Sequence, residues 1–155
     1  MPTPRIKVAK DKAQLVQKLL DTKGSTGAFP TYADIIAFAA SLGAKYQQRI
    51  PLGEISQVEP APISLEVFIS RGYDSLINLI AVNHTQKIEI LDREDAIAQK
   101  QRIQIFEEYA NGGLEKLSQE LRGAVDYTER LILILNAERF TPENNQEEFD
   151  LSRFL

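Results

Sequence analysis

A proline-rich segment in the middle of the chain restricts how its helices can be arranged. Residues 50–62 read IPLGEISQVEPAP and contain three prolines and a glycine. Proline in a helix interior removes a backbone hydrogen bond and clashes with the preceding turn, so no helix of useful length crosses this segment. We therefore predict a module at residues 1–49, a connector at residues 50–62, an acidic helical region at residues 63–141 and an acidic tail at residues 142–155.

Charge is distributed unevenly along the chain. Residues 1–49 carry eight Lys and Arg against three Asp and Glu, whereas the remaining residues carry ten against nineteen. A basic front joined to an acidic rear suggests that the front contacts a polyanion, while the rear contacts protein or solvent. Chance variation of charge within a single domain accounts for the same distribution equally well.

The residue types that are missing narrow the possible functions. With no cysteine among 155 residues, the chain cannot form disulfides, thiolate zinc sites or cysteine nucleophiles. No apolar run approaches the roughly 20 residues that a membrane helix requires, and the first residues lack the apolar stretch of a secretory signal. We therefore expect a cytoplasmic protein that makes no contact with a membrane.

Charged and aliphatic side chains alternate near the start of the chain, in the stretch RIKVAK. This period of two predicts a short strand, because successive side chains of a strand point to opposite faces. Ile6 and Val8 would face inward, and Arg5, Lys7 and Ala9 would face outward.

Two helices are predicted after this strand. Apolar residues recur at helical spacing over residues 11–21, and the loop TKGSTGAFP follows. A second helix then begins at TYAD, where the hydroxyl of Thr31 is placed to cap backbone amides, with Asp34 at the position where Glu or Gln is usual.

This order of one strand and two helices resembles the ribbon-helix-helix family of DNA-binding proteins over residues 4–46. In that family two chains pair their strands into a ribbon that lies in the major groove, which implies a homodimer here. Side chains on the outer face of the ribbon contact base edges, and the start of the second helix contacts phosphate. The DNA-binding residues implied by this resemblance are Arg5, Lys7 and Ala9 at the bases, and Lys10, Lys12, Lys23, Thr31 and Tyr32 at the phosphates.

Other interpretations of the basic strand remain open. An ordinary edge strand also carries lysines, which discourage edge-to-edge aggregation. The ribbon could also serve dimerisation alone. The loop between the two helices is longer than the tight turn usual in the family, and a polar residue is commoner than alanine at the third outward position.

The rear of the chain is predicted to be helical. A short apolar segment at residues 64–70 fits a helix or a strand, and a break at Gly72 precedes a helix at residues 74–82. A polar loop, NHTQK, leads to a long helix at residues 94–110, which Asn111, Gly112 and Gly113 would end. Further helices are predicted at residues 114–121 and 127–137, the last with LILILN buried almost all round. The fold class is thus mostly α, with a ribbon-helix-helix-like front and a helical bundle behind it.

Few side chains are arranged for catalysis. The only histidine, His84, falls in the predicted polar loop without a second imidazole for a metal site or a triad. Arg71 and Tyr73 precede a helix and either bind an anion at its start or cap and pack the turn. We expect no enzymatic activity, no cofactor and no metal site, although an enzyme that uses Arg71, Tyr73 and scattered carboxylates is a third possibility.

A second resemblance covers nearly the whole chain. The stretches TYADIIAFAASLGAKY, FISRGYDSLINLIA, RIQIFEEYANGGLEKLSQELRGAVDY and EEFDLSRFL resemble the small proteins encoded with bacterial DNA phosphorothioation (Dnd) gene clusters, in the group called Dnd system-associated protein 4. The resemblance implies a setting, the DNA phosphorothioation system, and supplies no catalytic residues. Our leading hypothesis is a non-enzymatic accessory or regulatory protein that binds DNA, with protein components of that system as partners. The alternative is a protein–protein adaptor of the same system that does not contact DNA.

Overall fold

The computed structural model describes residues 4–22 and 27–139, and most of these residues are helical. The helices and strands follow one another along the chain as β1 (Arg5–Ile6), α1 (Ala13–Leu19), α2 (Tyr32–Lys45), β2 (Ile63–Ser64), α3 (Leu65–Ser70), α4 (Asp74–Thr85), α5 (Ala96–Glu120) and α6 (Tyr127–Arg139). Short 3₁₀ turns at Lys10–Lys12 and Ile88–Leu91 join some of them. The prediction of a mostly α fold is confirmed.

Strand β1 pairs with a strand of the same chain. Arg5 lies opposite Ser64 and Ile6 opposite Ile63 in an antiparallel register, and the pairing continues through an isolated bridge between Ala9 and Ile55. A strand followed by two helices is therefore present, but the ribbon-helix-helix arrangement is not confirmed.

The segment after the proline-rich stretch forms a strand and then a helix, so both readings of residues 64–70 are partly right. Ser64 ends β2 and its hydroxyl accepts a hydrogen bond from the Glu66 amide at the start of α3. The break expected at Gly72 is present, and its φ of +83° is a left-handed conformation that glycine adopts without strain.

Helix α2 begins where the sequence predicts. The hydroxyl of Thr31 accepts a hydrogen bond from the Asp34 amide at 3.2 Å, which satisfies one of the free donors of the first turn. Most alanine and isoleucine side chains of this helix are buried, so the rest of the protein covers it on nearly every side.

Helix α5 continues through the residues that were predicted to end it. Asn111, Gly112 and Gly113 lie inside one helix of 25 residues, so the predicted division into helices at 94–110 and 114–121 is wrong. The two glycines face backbone from the front of the chain: a Cβ on Gly113 would overlap the carbonyl oxygen of Ala39 in α2, and one on Gly112 would overlap that of Gln48, just after α2. Gly43 of α2 meets the Tyr109 carbonyl in the same way. The glycines thus allow two helix backbones to approach closely.

Two further predictions in the rear of the chain are corrected. Helix α4 extends to Thr85, so His84 belongs to a helix and not to a polar loop; Gln86, with a φ of +58°, ends it. Helix α6 buries Leu131, but most of the LILILN stretch is not buried all round.

The core is formed by residues from both sides of the proline-rich segment. Ile6, Val16 and Ile36 belong to the same buried cluster as Phe68 and Phe106, whose rings pack edge to face at 5.8 Å. Over the described residues, no helix combines the length and hydrophobicity needed to cross a bilayer.

Candidate functional site

The basic strand places two cations on its outer face. Ile6 and Val8 are buried, whereas Arg5 and Lys7 are exposed, as the alternation predicts. Within residues 4–22 and 27–139, neither cationic group forms a salt bridge at 4.0 Å or less with a carboxylate. Their charges are therefore available to a partner.

Ala9 does not continue this outer row. Its side chain is 1% exposed, because the chain turns into the 3₁₀ helix at Lys10–Lys12 and the alternation ends. The prediction that Ala9 faces outward is wrong, and a methyl contact from this position to thymine has no geometric support.

The three lysines assigned to phosphates differ in their surroundings. Lys10 is exposed, and its ammonium group lies 3.5 Å from the Glu54 carboxylate, which is an exposed and therefore weak ion pair. Lys12 is 6% exposed and forms salt bridges with Asp11 at 3.3 Å and Glu115 at 3.0 Å, which removes it from any phosphate contact. Lys23 lies outside the described residues.

The hydroxyl groups of Thr31 and Tyr32 both donate to carboxylates of the same chain. Thr31 donates to the Asp34 carboxylate at 2.7 Å, and Tyr32 donates to the Glu59 carboxylate at 2.5 Å. Burial and the bond to Glu59 raise the pKa of Tyr32 to about 12. A carboxylate already faces the start of α2, and a phosphate there would be repelled.

Asp34 is the centre of a network that the sequence reasoning missed. Arg71 donates to both carboxylate oxygens, at 2.9 and 2.8 Å, and Tyr73 donates at 2.5 Å. Burial acts to raise the Asp34 pKa, but the hydrogen bonds from Tyr73, Thr31 and Arg71 outweigh it and hold the pKa below its usual value. Arg71 and Tyr73 thus fix the loop before α4 against α2.

Glu107 forms a hydrogen bond with the backbone of the basic strand. The backbone amide of Lys7 donates to its carboxylate at 2.6 Å, and the residue is 6% exposed. Burial raises the pKa of Glu107 to about 7, although the bond from Lys7 acts in the opposite direction. The hydrogen bond at the end of β1 is therefore made by a carboxyl group that can be protonated.

A second arrangement of polar side chains joins Arg49, the last residue before the proline-rich segment, to helices α4 and α5. Arg49 donates to Glu108 at 2.9 Å and to the His84 Nε2 atom at 2.6 Å, and His84 Nδ1 lies 2.8 Å from the Tyr109 hydroxyl. Since arginine can only donate, Nε2 is the acceptor and Nδ1 carries the proton.

Arg49 and His84 border a cleft of about 590 Å³, here called the polar cleft, between the end of α4, the Ile88–Leu91 turn and α5. Its polar lining includes Arg49, His84, Lys87, Glu89, Asp95, Gln101 and Gln104. Sequence reasoning missed this site, because Arg49 and His84 lie 35 residues apart in the sequence and no spacing rule connects them. Within the described residues, no group of three His, Asp or Glu side chains is arranged to hold a metal ion.

Helix α6 has one apolar face towards the core and another towards solvent. Tyr127, Leu131 and Ile134 pack on the core. The outer apolar face of α6 consists of Ile132, Leu133 and Leu135, which are 54%, 56% and 50% exposed. The apolar tail residues that were expected to dock on the body or on a partner, Phe149, Leu151, Phe154 and Leu155, lie outside the described residues.

Comparison with known families gives a match over nearly the whole chain. The family model described as DNA sulphur modification system-associated protein 4 matches residues 5–154. No curated protein and no solved structure matches the chain.

Proposed function

We propose that this chain, which belongs to the DNA sulphur modification system-associated protein 4 family, is a non-enzymatic accessory protein that binds a protein component of that system. The observation that carries the proposal is the outer apolar face of α6. Three large aliphatic side chains there are half exposed although the same helix buries its opposite side. Contiguous exposed apolar surface is typical of protein–protein interfaces.

The size of this face indicates how much partner surface is needed. Burying the exposed half of each side chain contributes roughly 1 kcal/mol, or roughly 3 kcal/mol for the three. Micromolar affinity requires about 8 kcal/mol, so the partner must also cover neighbouring surface. Val125, which is 91% exposed just before α6, is available to the same partner.

Co-purification tests this proposal. The full chain carrying Ile132→Gln, Leu133→Gln and Leu135→Gln is expressed in cells that encode the sulphur modification system, and recovered components are identified by mass spectrometry. We expect the unchanged chain to recover a component of the system and the triple variant to lose it.

A matched control removes three other exposed apolar side chains. Leu79, Ile88 and Ile97 are 67%, 75% and 70% exposed and lie outside α6, so their replacement by Gln should leave recovery unchanged. Equal recovery with both triple variants, or no system component with the unchanged chain, would refute the adaptor role.

DNA contact by the basic strand is the second candidate, and it corresponds to a regulatory DNA-binding role. It is favoured by Arg5 and Lys7, whose charges are exposed on the outer face of β1. Ala9 and Lys12 are buried, and the hydroxyls of Thr31 and Tyr32 bond to carboxylates of the same chain, so the contact would rest on the exposed cations of the strand. Contacts between cations and phosphate depend strongly on salt. The homodimer stays a prediction, which sedimentation of the full chain tests.

Salt titration of duplex DNA binding tests this candidate. Two phosphate contacts contribute a slope of about −1.8 to log affinity against log salt. Replacing Arg5 and Lys7 by Gln should therefore reduce the slope by about that amount, whereas Arg93→Gln with Lys100→Gln should leave it unchanged. Absence of binding at low salt, or equal slopes for both double variants, would count against DNA contact.

A further inference from the structure

We propose that the polar cleft binds a small phosphate-bearing molecule of mononucleotide size, with Arg49 and Lys87 at the phosphate. This site is separate from the outer face of α6 and from the basic strand. The inference does not depend on either proposed role.

Arg49 is held in position from two directions. Glu108, whose side chain is 11% exposed, accepts from Nε at 2.9 Å, and His84 accepts from Nη1 at 2.6 Å. These bonds use two of the five N–H donors of the guanidinium group. The remaining donors belong to a side chain that lines the cleft, so two oxygens of a phosphate can accept from them without further ordering of the arginine.

His84 does not add a positive charge next to Arg49. Because Nε2 accepts from Arg49, the imidazole in this arrangement is the neutral Nδ1–H form, and its proton is donated to the Tyr109 hydroxyl. Lys87, exposed at the rim of the same cleft, supplies a second positive charge.

The remaining lining indicates a ligand larger than a phosphate ion. Ligand sites commonly measure about 300–1,000 Å³, and the polar cleft falls within this range at about 590 Å³. Glu89 and Asp95 would repel an isolated anion but accept hydrogen bonds from ribose hydroxyls or amino groups. The amides of Gln101 and Gln104 can both donate and accept, as recognition of a base edge requires.

The single histidine provides a direct probe of the cleft. In the full chain, labelled with ¹⁵N, the His84 imidazole gives the only histidine side-chain signals, since the sequence contains one His. Titration uses adenosine 5′-monophosphate, adenosine and inorganic phosphate as separate probes. We expect saturable shifts with the monophosphate, and at least tenfold weaker binding of adenosine and of phosphate.

Variants connect the signal to the proposed contacts. Lys87→Gln should weaken binding of the monophosphate about tenfold, which corresponds to the loss of one charge-assisted hydrogen bond. Lys100→Gln, another exposed lysine, should have no effect. Arg49→Gln should abolish binding, and Lys87→Gln keeps the test valid if that variant fails to fold.

Several outcomes would overturn the proposal. It fails if the monophosphate produces no saturable shift at millimolar concentration, or if Lys87→Gln binds as the unchanged chain does. Equal affinity for adenosine would show that the phosphate is not recognised. Equal affinity for inorganic phosphate would show that the cleft does not select a mononucleotide.

Discussion

At the scale of single residues, Glu107 connects the charge of the protein to its stability. Its carboxylate is buried against the backbone of Lys7, and burial raises its pKa from 4.5 to about 7. In the unfolded chain the same group releases its proton near its ordinary value. Between these two values the folded state binds more protons than the unfolded state, so stability must fall as pH rises.

Glu107→Gln should remove this dependence on pH. An amide accepts the Lys7 hydrogen bond without becoming charged, so the variant should gain stability relative to the unchanged chain as pH rises from about 4.5 to 7. The gain is limited to about 3 kcal/mol, the value that corresponds to the difference in pKa. Urea unfolding at several pH values measures it.

Glu94→Gln, at an exposed position, is the control for this measurement. It should show no change in relative stability across the same range of pH. A constant difference between Glu107→Gln and the unchanged chain at every pH would mean that Glu107 has an ordinary pKa.

Residues whose environment is set by local geometry could be predicted from the sequence, and others could not. The alternation from Arg5 to Val8 follows from strand geometry alone. Ala9 breaks it because a 3₁₀ turn begins at the next residue. Arg71 and Tyr73 lie 37 and 39 residues from Asp34, and the only local sign of this network was that Asp34 stands where a capping box has Glu or Gln.

At the scale of elements, the crossing of α2 and α5 depends on glycine. The sequence contains Asn-Gly-Gly in a helical stretch, a pattern typical of helix ends. The helix continues instead because Gly113 faces the backbone of α2 and Gly112 faces that of Gln48 just after α2, contacts that only the folded structure reveals. Helix α2, by contrast, was predictable, since its capping signal lies within four residues.

Gly113→Ala should destabilise the protein although alanine favours helix formation. The helix gains about 1 kcal/mol from the change, but the new methyl group overlaps the Ala39 carbonyl and forces the helices apart. Overpacking of this kind costs about 1–3 kcal/mol, and more where the obstacle is backbone. We expect a net loss of about 2 kcal/mol in urea unfolding.

Gln119→Ala, at an exposed position of the same helix, isolates the effect of helix propensity. It should change the free energy of unfolding by less than about 0.5 kcal/mol. An increase in stability from Gly113→Ala would mean that α2 and α5 are not in close contact at this point.

At the scale of the whole molecule, one core draws on residues from the front and the rear of the chain. Ile6 and Val16 precede the proline-rich segment, and Phe68, Phe106 and Leu114 follow it. Hydrophobic content predicted that LILILN would be buried, but α6 packs only one side on this core. The number of elements available to cover a helix cannot be deduced from its own composition.

Residues 63–141 expressed alone should therefore fail to fold. Without Ile6, Val16 and α2, the fragment leaves Phe68 and Phe106 without part of their packing, and circular dichroism should show no cooperative thermal transition. Residues 1–141 serve as the control and should unfold in one transition. The division into separate modules at residues 50–62 would be supported by a fragment that unfolds cooperatively.

The bond from the Lys7 amide to Glu107 joins positions 100 residues apart, and this separation has a consequence for synthesis. Ribosomes add about 5–20 residues per second, so the first strand waits roughly 5–20 s before its last partner exists. During that interval its aliphatic side chains are uncovered while the cations beside them keep nascent chains from associating. Arg5 and Lys7 would then protect the newborn polypeptide before they meet any ligand.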